Sequence, residues 1–212
     1  MVIQYLGHAS FRIKSKTSDI VIDPYDPKIG KKFPKQKEID IVMCSHGHFD
    51  HHYLDGIESG YFLIDGPGEY DVKDVSVKGI FSYHDKSKGS ERGNNTIYVM
   101  NIEDVSLCHL GDLGDVLTDD QIEKIGPIDV LFIPVGGKFT IDAHEATKVI
   151  SQVEPSIVVP MHYGNTELGI DDVDKFLKEM GVEKESVKNL KISKDDFGEG
   201  INETKVIVME NV

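Results

Sequence analysis

The chain has 212 residues, 39% of them hydrophobic, with two cysteines and a formal net charge of -14. That length buries a sizeable core without disulfide staples, and the acidic balance disfavours nucleic acid or any other polyanion held by the general field of the protein. No apolar run approaches the roughly 18 residues needed to span a bilayer, and the opening MVIQYLGHASFRIKS lacks a basic region followed by a long apolar stretch, so a cytoplasmic protein with no membrane partner is expected.

Short runs rich in β-branched residues come first: VIQYL, FRIKS, DIVIDP, IDIVMC, YFLI, VSVKGIF, TIYVMNI and VSLCHL, separated by Gly, Pro, Asp and Asn. Each predicts a strand. Cys44 and Cys108 end two of these runs, the pattern of inert buried thiols. Lys28, Lys31, Lys32, Lys35 and Lys37 fall in PKIGKKFPKQK, whose Gly and Pro predict a solvated surface loop. The period then changes. LTDDQIEKIG carries Thr118 as N-cap, Gln121 three residues on and Gly126 as the stop of a short helix. DVLFIPVGG and SIVVPMHYG predict buried strands on either side of IDAHEATKVISQVEP, where Ala143, Ala146, Val149, Ile150 and Val153 share one helix face. IDDVDKFLKEMG predicts a helix ending at Gly181, and TKVIVME a last strand. One domain over residues 1–212 is expected, with sheets covered by helices.

The stretch SHGHFDHH, residues 45–52, concentrates four of the nine histidines directly after the apolar run IDIVMC. His46 and His48 are two apart, so in an extended segment they point the same way and can share an ion; Asp50 and His51 follow and can face a second. Neutral imidazole and carboxylate suit Zn²⁺, Mn²⁺ or Fe, and the lack of cysteine among them argues for a catalytic rather than a closed structural site. Other candidates stand where apolar runs end: His84 in SYHD, His109 and Asp112 in CHLGDLG, and His162 in PMHYG. Asp23, after IVI, is positioned to accept a proton from a ligand imidazole and so select its tautomer, and the glycines of VGGK let backbone approach the site closely. The segment DKSKGSERGNN leaves His84 and returns to a strand, which predicts a pocket rim where Lys86, Lys88 or Arg92 meets a substrate anion.

In order and spacing, YLGHASF (5–11), DPY (23–25), SHGHFDH (45–51), HLGDLG (109–114), IPVGG (133–137) and PMHYG (160–164) resemble the metallo-β-lactamase-fold hydrolases, in particular their small bacterial and archaeal branch. The resemblance implies an α/β fold, a four-layer αβ/βα sandwich of two mixed sheets packed face to face with helices outside and a dinuclear metal site at one edge. It assigns His46, His48 and His84 to a first metal, Asp50, His51 and His162 to a second, and Asp112 to the bridge; His52 lies outside the pattern. His8 is then expected beside the ligands or against substrate, and His109 behind them. The implied reaction is hydrolysis of an ester, lactone or phosphodiester in a small-molecule substrate. Two divalent ions, Zn²⁺ or else Mn²⁺ or Fe, would activate water, with Asp112 bridging and Asp50 orienting the nucleophile. Two other readings of the same motifs are an iron-dependent oxidoreductase, against which His48 stands where di-iron members usually carry glutamate, and a non-catalytic metal-binding relative.

Overall fold

The structure, a computed structural model, describes residues 1–165, 168–198 and 203–212. In chain order its strands begin with β1 (Val2–Gly7), β2 (Ser10–Lys14), β3 (Asp19–Ile22), β4 (Ile41–Met43) and β5 (Phe62–Ile64). Then come β6 (Gly68–Val72), β7 (Val75–Tyr83), β8 (Asn94–Ile102), β9 (Val105–His109), α1 (Asp119–Ile125), β10 (Val130–Pro134), α2 (Ala143–Val153), β11 (Ile157–Met161) and α3 (Val173–Met180). Four short strands close the chain: β12 (Ser186–Val187), β13 (Asn189–Lys191), β14 (Lys205–Val206) and β15 (Val208–Met209).

These strands make two mixed sheets, in the orders β13-β1-β2-β3-β4-β5 and β14-β11-β10-β9-β8-β7-β6. Period-two burial explains why they stack. In β3 and β4, Ile20, Ile22, Ile41 and Met43 enter the core between the sheets, while Val21 and Val42 pack on the opposite face. Val130 and Phe132 of β10 meet them from the second sheet, and Leu131 and Ile133 face outward. The three helices cover that outward face through Ile125, Ala146, Val149, Phe176 and Leu177. Their N-termini follow from the sequence: Thr118 with Gln121 and Asp142 with Glu145 both form capping boxes. Over the first sheet the outer layer is a loop with 3₁₀ turns, its Tyr25, Ile29, Phe33 and Ile57 packing on Leu6, Val21 and Val42. The lysine-rich stretch belongs to this layer, pinned by Ile29 and Phe33, with Lys28, Lys32, Lys35 and Lys37 exposed.

One expectation is corrected. TKVIVME is not one strand of one sheet: the Ile207 N–H bonds to Val158 O, whereas the N–H groups of Val208 and Glu210 bond to Glu185 and Val187. Alternate N–H groups of a strand point to opposite sides, and here each side meets a different neighbour. GEYDV is not among the predicted strands; β6 is an edge strand antiparallel to β7, its Tyr70 and Val72 half-buried against the core and its Glu69 and Asp71 exposed. Both cysteines are free and buried, and burial pushes their thiols well up. No helix among the described residues is long and apolar enough to cross a membrane.

Hydrogen bonds join the two sheets at the root of the histidine loop: the buried Tyr98 hydroxyl of β8 donates to Cys44 O, one residue beyond β4, at 2.9 Å, and Thr96 N donates to Ser45 O at 2.8 Å. Tyr98→Phe is expected to lower stability by about 1–2 kcal/mol, since a buried carbonyl loses its donor. Denaturant midpoints of the two proteins read this directly.

Candidate metal centre

Six strand ends or the turns after them meet at one edge of the sandwich. The β1–β2 turn carries His8, β3 runs into Asp23, β4 into Ser45–His51, β7 into His84, β9 into Asp112 and β11 into His162. Active groups at strand ends are held by a rigid scaffold. Here the turn conformation is part of that holding, with His8, Asp23 and His162 in the left-handed region at φ 58°, 46° and 52°, backbone that costs energy in a non-glycine residue.

Asp112 lies at the middle. Its Oδ2 is 3.2 Å from His51 Nε2, 3.2 Å from His84 Nε2 and 3.4 Å from His162 Nε2. To one side His46, His48 and His84 offer three ring nitrogens within 4.8 Å of one another; to the other His8, Asp50, His51 and His162 offer four donor atoms equally close. His46 and His48 converge with Nε2 of the first 3.0 Å from Nδ1 of the second. They do so across a series of bends rather than in the extended segment expected, which is why different ring nitrogens face the same point. His84 stands with this pair. His109 does not: its Nε2 donates to Ala9 O at 2.9 Å and its Nδ1 accepts from Gly111 N at 3.2 Å, so both nitrogens are used in holding the Gly111–Gly114 loop and the β1–β2 turn.

The groups behind the cluster select tautomers. His51 Nδ1 donates to Asp23 Oδ2 at 2.9 Å, leaving Nε2 to face Asp112. Ser45 donates its hydroxyl to Asp23 at 2.7 Å and so accepts from His46 Nδ1 at 3.0 Å, which leaves a lone pair on His46 Nε2. Burial pushes His46 down to about 3 and His8 down to about 4, so both are neutral. Burial also opposes charge on His51, but Asp112 and Asp23 on either side of its ring raise it well above the ordinary imidazole value. For Asp112 burial favours the protonated form, and His162 and His51 overcome it and hold the carboxyl well below the carboxylate range. Asp50 is likewise lowered against its burial, by the 3.2 Å contact with His8 and by His51.

An asparagine outside the motifs that carry the resemblance, and two glycines within them, position the site. Buried Asn95 at the start of β8 accepts from Asp112 N at 2.9 Å and donates to Ser82 Oγ and Leu110 O; an Asn opening a β-branched strand was the one signal the sequence offered. Gly114 approaches the backbone of His84 and Asp85 so closely that a Cβ would collide with both, and Gly136 does the same against the His162 carbonyl, the close approach expected of VGGK. His162 N in turn donates to His8 O at 2.7 Å, tying the β11 end to the β1–β2 turn.

The residues fit metal ions. His51 Nε2 and Asp112 Oδ1, both within the cluster, are buried without a hydrogen-bond partner among the described residues, a costly arrangement for a closed core and a natural one for ligand atoms of nitrogen and oxygen type.

The sequence model of a family described as "Beta-lactamase superfamily domain" matches residues 2–162. With the two stacked mixed sheets and a histidine–aspartate cluster at their edge, this makes the chain a member of the metallo-β-lactamase superfamily. It belongs among the superfamily's metal-dependent hydrolases. A UPF0173 metal-dependent hydrolase of Thermococcus kodakarensis is 30% identical, the match covering 87% of this chain and 94% of the relative. A crystal structure from Thermotoga maritima, described as a Zn-dependent hydrolase of the superfamily, is 37% identical and superposes with a TM-score of 0.81 over 100% of this chain and 99% of its own. The di-iron β-hydroxylase CmlA of Streptomyces venezuelae, 14% identical, shares the fold with a TM-score of 0.61 over 91% of this chain and 54% of its own.

The shifts give the chelated protein a stability maximum near pH 6.5. Below it, His8 and His46 bind protons in the unfolded chain before they do in the native one, so stability falls as pH drops from 6.5 towards about 4 and about 3 respectively. The His8 contribution is roughly 3 kcal/mol. The depressed Asp112, Asp50 and Asp23 add a further loss in acid below roughly pH 4. Above 6.5 the raised His51 keeps its proton only in the native state, and its stabilisation is lost as pH rises through its folded value. Thermal midpoints of chelated protein from pH 4 to 9 should trace this dome; a flat profile would contradict a neutral His8 and His46 beside a charged His51.

Proposed function

We propose that the cluster holds two divalent ions, zinc in both positions, and that this single domain of residues 1–212 is a cytoplasmic enzyme that hydrolyses an ester, lactone or phosphodiester bond in a small molecule. The observation that carries the reading is the position of Asp112 Oδ2 among His51, His84 and His162, between a three-histidine group and a His–Asp group. On this reading His46, His48 and His84 hold the first ion, Asp50, His51 and His162 the second, and Asp112 touches both. Two such ions supply Lewis acidity and an activated water to a displacement reaction. Nitrogen and oxygen donors of this kind suit zinc, with manganese or iron as the other candidates; the Thermotoga maritima neighbour is described as Zn-dependent.

The chain's own residues do the rest. Asp23 and Ser45 hold His51 and His46 in the tautomers that free their Nε2 atoms. Asn95 fixes the backbone that presents Asp112. Asp50, partly exposed and 3.2 Å from His8 Nε2, faces the open side, where its carboxylate orients the attacking oxygen. His8 holds Asp50 in that position. A mobile nucleophile is not required of the protein, and the buried, raised thiols of Cys44 and Cys108 do not offer one.

Metal content per folded chain tests the assignment. Asp112→Ala is expected to lose both ions, because the carboxylate between two dications is gone, whereas His162→Ala should deplete the second and His48→Ala the first. Full occupancy in Asp112→Ala would sink the dinuclear reading. Because an ion that binds only the folded chain raises its stability by mass action, chelation should also lower the thermal midpoint and zinc restore it. Zinc-loaded protein should turn over a member of an ester, lactone and phosphodiester panel without consuming oxygen; oxygen uptake by iron-loaded protein with no such hydrolysis would favour the oxidoreductase instead. Asn95→Ala is expected to keep the fold and weaken metal binding by roughly 10- to 100-fold, the range for groups that orient ligands, measured by competition with a chelator.

A further inference from the structure

Resting on the hydrolase reading, we propose that Arg92 is the substrate anchor of this site and that the substrate carries an oxyanion, a carboxylate or a phosphate, beside the bond that is cut. Two cavities flank the first histidine group. One, of about 500 Å³, is lined by His46, His48, Phe81 and Asn94; the other, of about 320 Å³, by His84, Lys138, Phe139 and Glu145. Arg92 lines both. It therefore stands where a molecule lying across the histidines would pass from one cavity to the other.

The loop that delivers it is built as a rigid piece. The Asp85 carboxylate accepts four backbone N–H groups, from Ser87 at 2.8 Å, Gly89 at 2.9 Å, Glu91 at 3.1 Å and Arg92 itself at 2.8 Å. Burial favours protonation of that carboxyl, and the four donors reverse the effect and hold it low. His84 N closes the loop on Gly93 O at 3.1 Å, so a candidate metal ligand and Arg92 are fixed to each other by one ring of hydrogen bonds.

The charges around the second cavity are committed, except one. Lys86 pairs with Glu145, whose second oxygen also caps α2, and Asp142 completes that cap. Lys138 donates to Leu168 O, and Glu91 accepts from Ser87 Oγ. The Arg92 guanidinium makes no hydrogen bond among the described residues; its nearest carboxylate, Glu91, is 3.7 Å away and well exposed. Its carbon lies 5.7 Å from the centre of the Phe139 ring, a contact that uses none of its N–H donors. A half-buried guanidinium with unused donors beside a metal group is suited to a bidentate oxyanion. Combined volumes of this size fit a small molecule.

The test is titration calorimetry of zinc-loaded protein with inorganic phosphate and, separately, succinate, on wild type, Arg92→Ala and Arg92→Lys, with zinc content and thermal midpoint measured on the same samples. Arg92→Ala should bind the better of the two probes about 10- to 100-fold more weakly at unchanged zinc content and midpoint. Arg92→Lys should fall between, because it keeps the charge and loses the fork. Whichever probe binds more tightly in wild type names the oxyanion. Equal affinity in wild type and Arg92→Ala, or no uptake of either probe by wild type, overturns the proposal and leaves the metal reading standing. A wild type that takes up no zinc but loses phosphate affinity on Arg92→Ala upholds the anion site and sinks the hydrolase reading instead.

Discussion

Everything at the sheet edge is arranged around one fully buried carboxylate. Asp112 brings a negative charge into a dry environment, where an isolated ion is expensive and must be paired. His51, His84 and His162 supply the pairing from three different strand ends, and His46, His48, His8 and Asp50 surround those three. The same crowding that makes Asp112 tolerable leaves His51 Nε2 and its own Oδ1 without hydrogen-bond partners among the described residues. A cation satisfies both demands together, since it neutralises the carboxylates and uses the spare lone pairs.

That arrangement depends on a supporting layer reaching across both sheets. Asp23, just beyond β3, gathers Ser45 and His51; Asn95, in the other sheet, holds the Asp112 backbone; His109 ties that loop to the β1–β2 turn through Ala9. Each is buried, and each is polar, so none could be replaced by an apolar side chain without leaving a partner unsatisfied. The left-handed turns at His8, Asp23 and His162 show where the core carries the energetic cost of aiming these side chains.

Fold and chemistry separate at this point. The sandwich is shared with the di-iron hydroxylase CmlA of Streptomyces venezuelae, at 14% identity, and a fold common to unlike chemistries says nothing of the bond that is broken. The candidate ligands hang from strand ends, while the walls come from loops: the Asp85-centred loop, the turn at Lys138–Thr140 and the segment after Ile64. On the reading proposed above, the Arg92 side chain can vary to change specificity toward a charged substrate while the backbone hydrogen bonds to Asp85 and Gly93 that tie the loop to His84 stay in place.

Strand positions in the first half other than β6, and the three helices, were legible in the sequence, because period-two and period-3.6 burial and the Thr118 cap are local properties. So was the concentration of ligand-type side chains after apolar runs, since a strand end and the residue following it are adjacent in the chain. What lies near what was decided only by tertiary packing. His8 and Asp50 are 42 residues apart and meet at 3.2 Å; Asn95 reaches Asp112 across 17 residues; and the final segment divides its hydrogen bonds between β11 and the β12 neighbourhood. Local pattern determines which face of an element is apolar. Which strand ends converge, which ring nitrogen is left free and which arginine keeps its donors unused depend on contacts between elements remote in sequence, and those exist only once the two sheets have closed on each other.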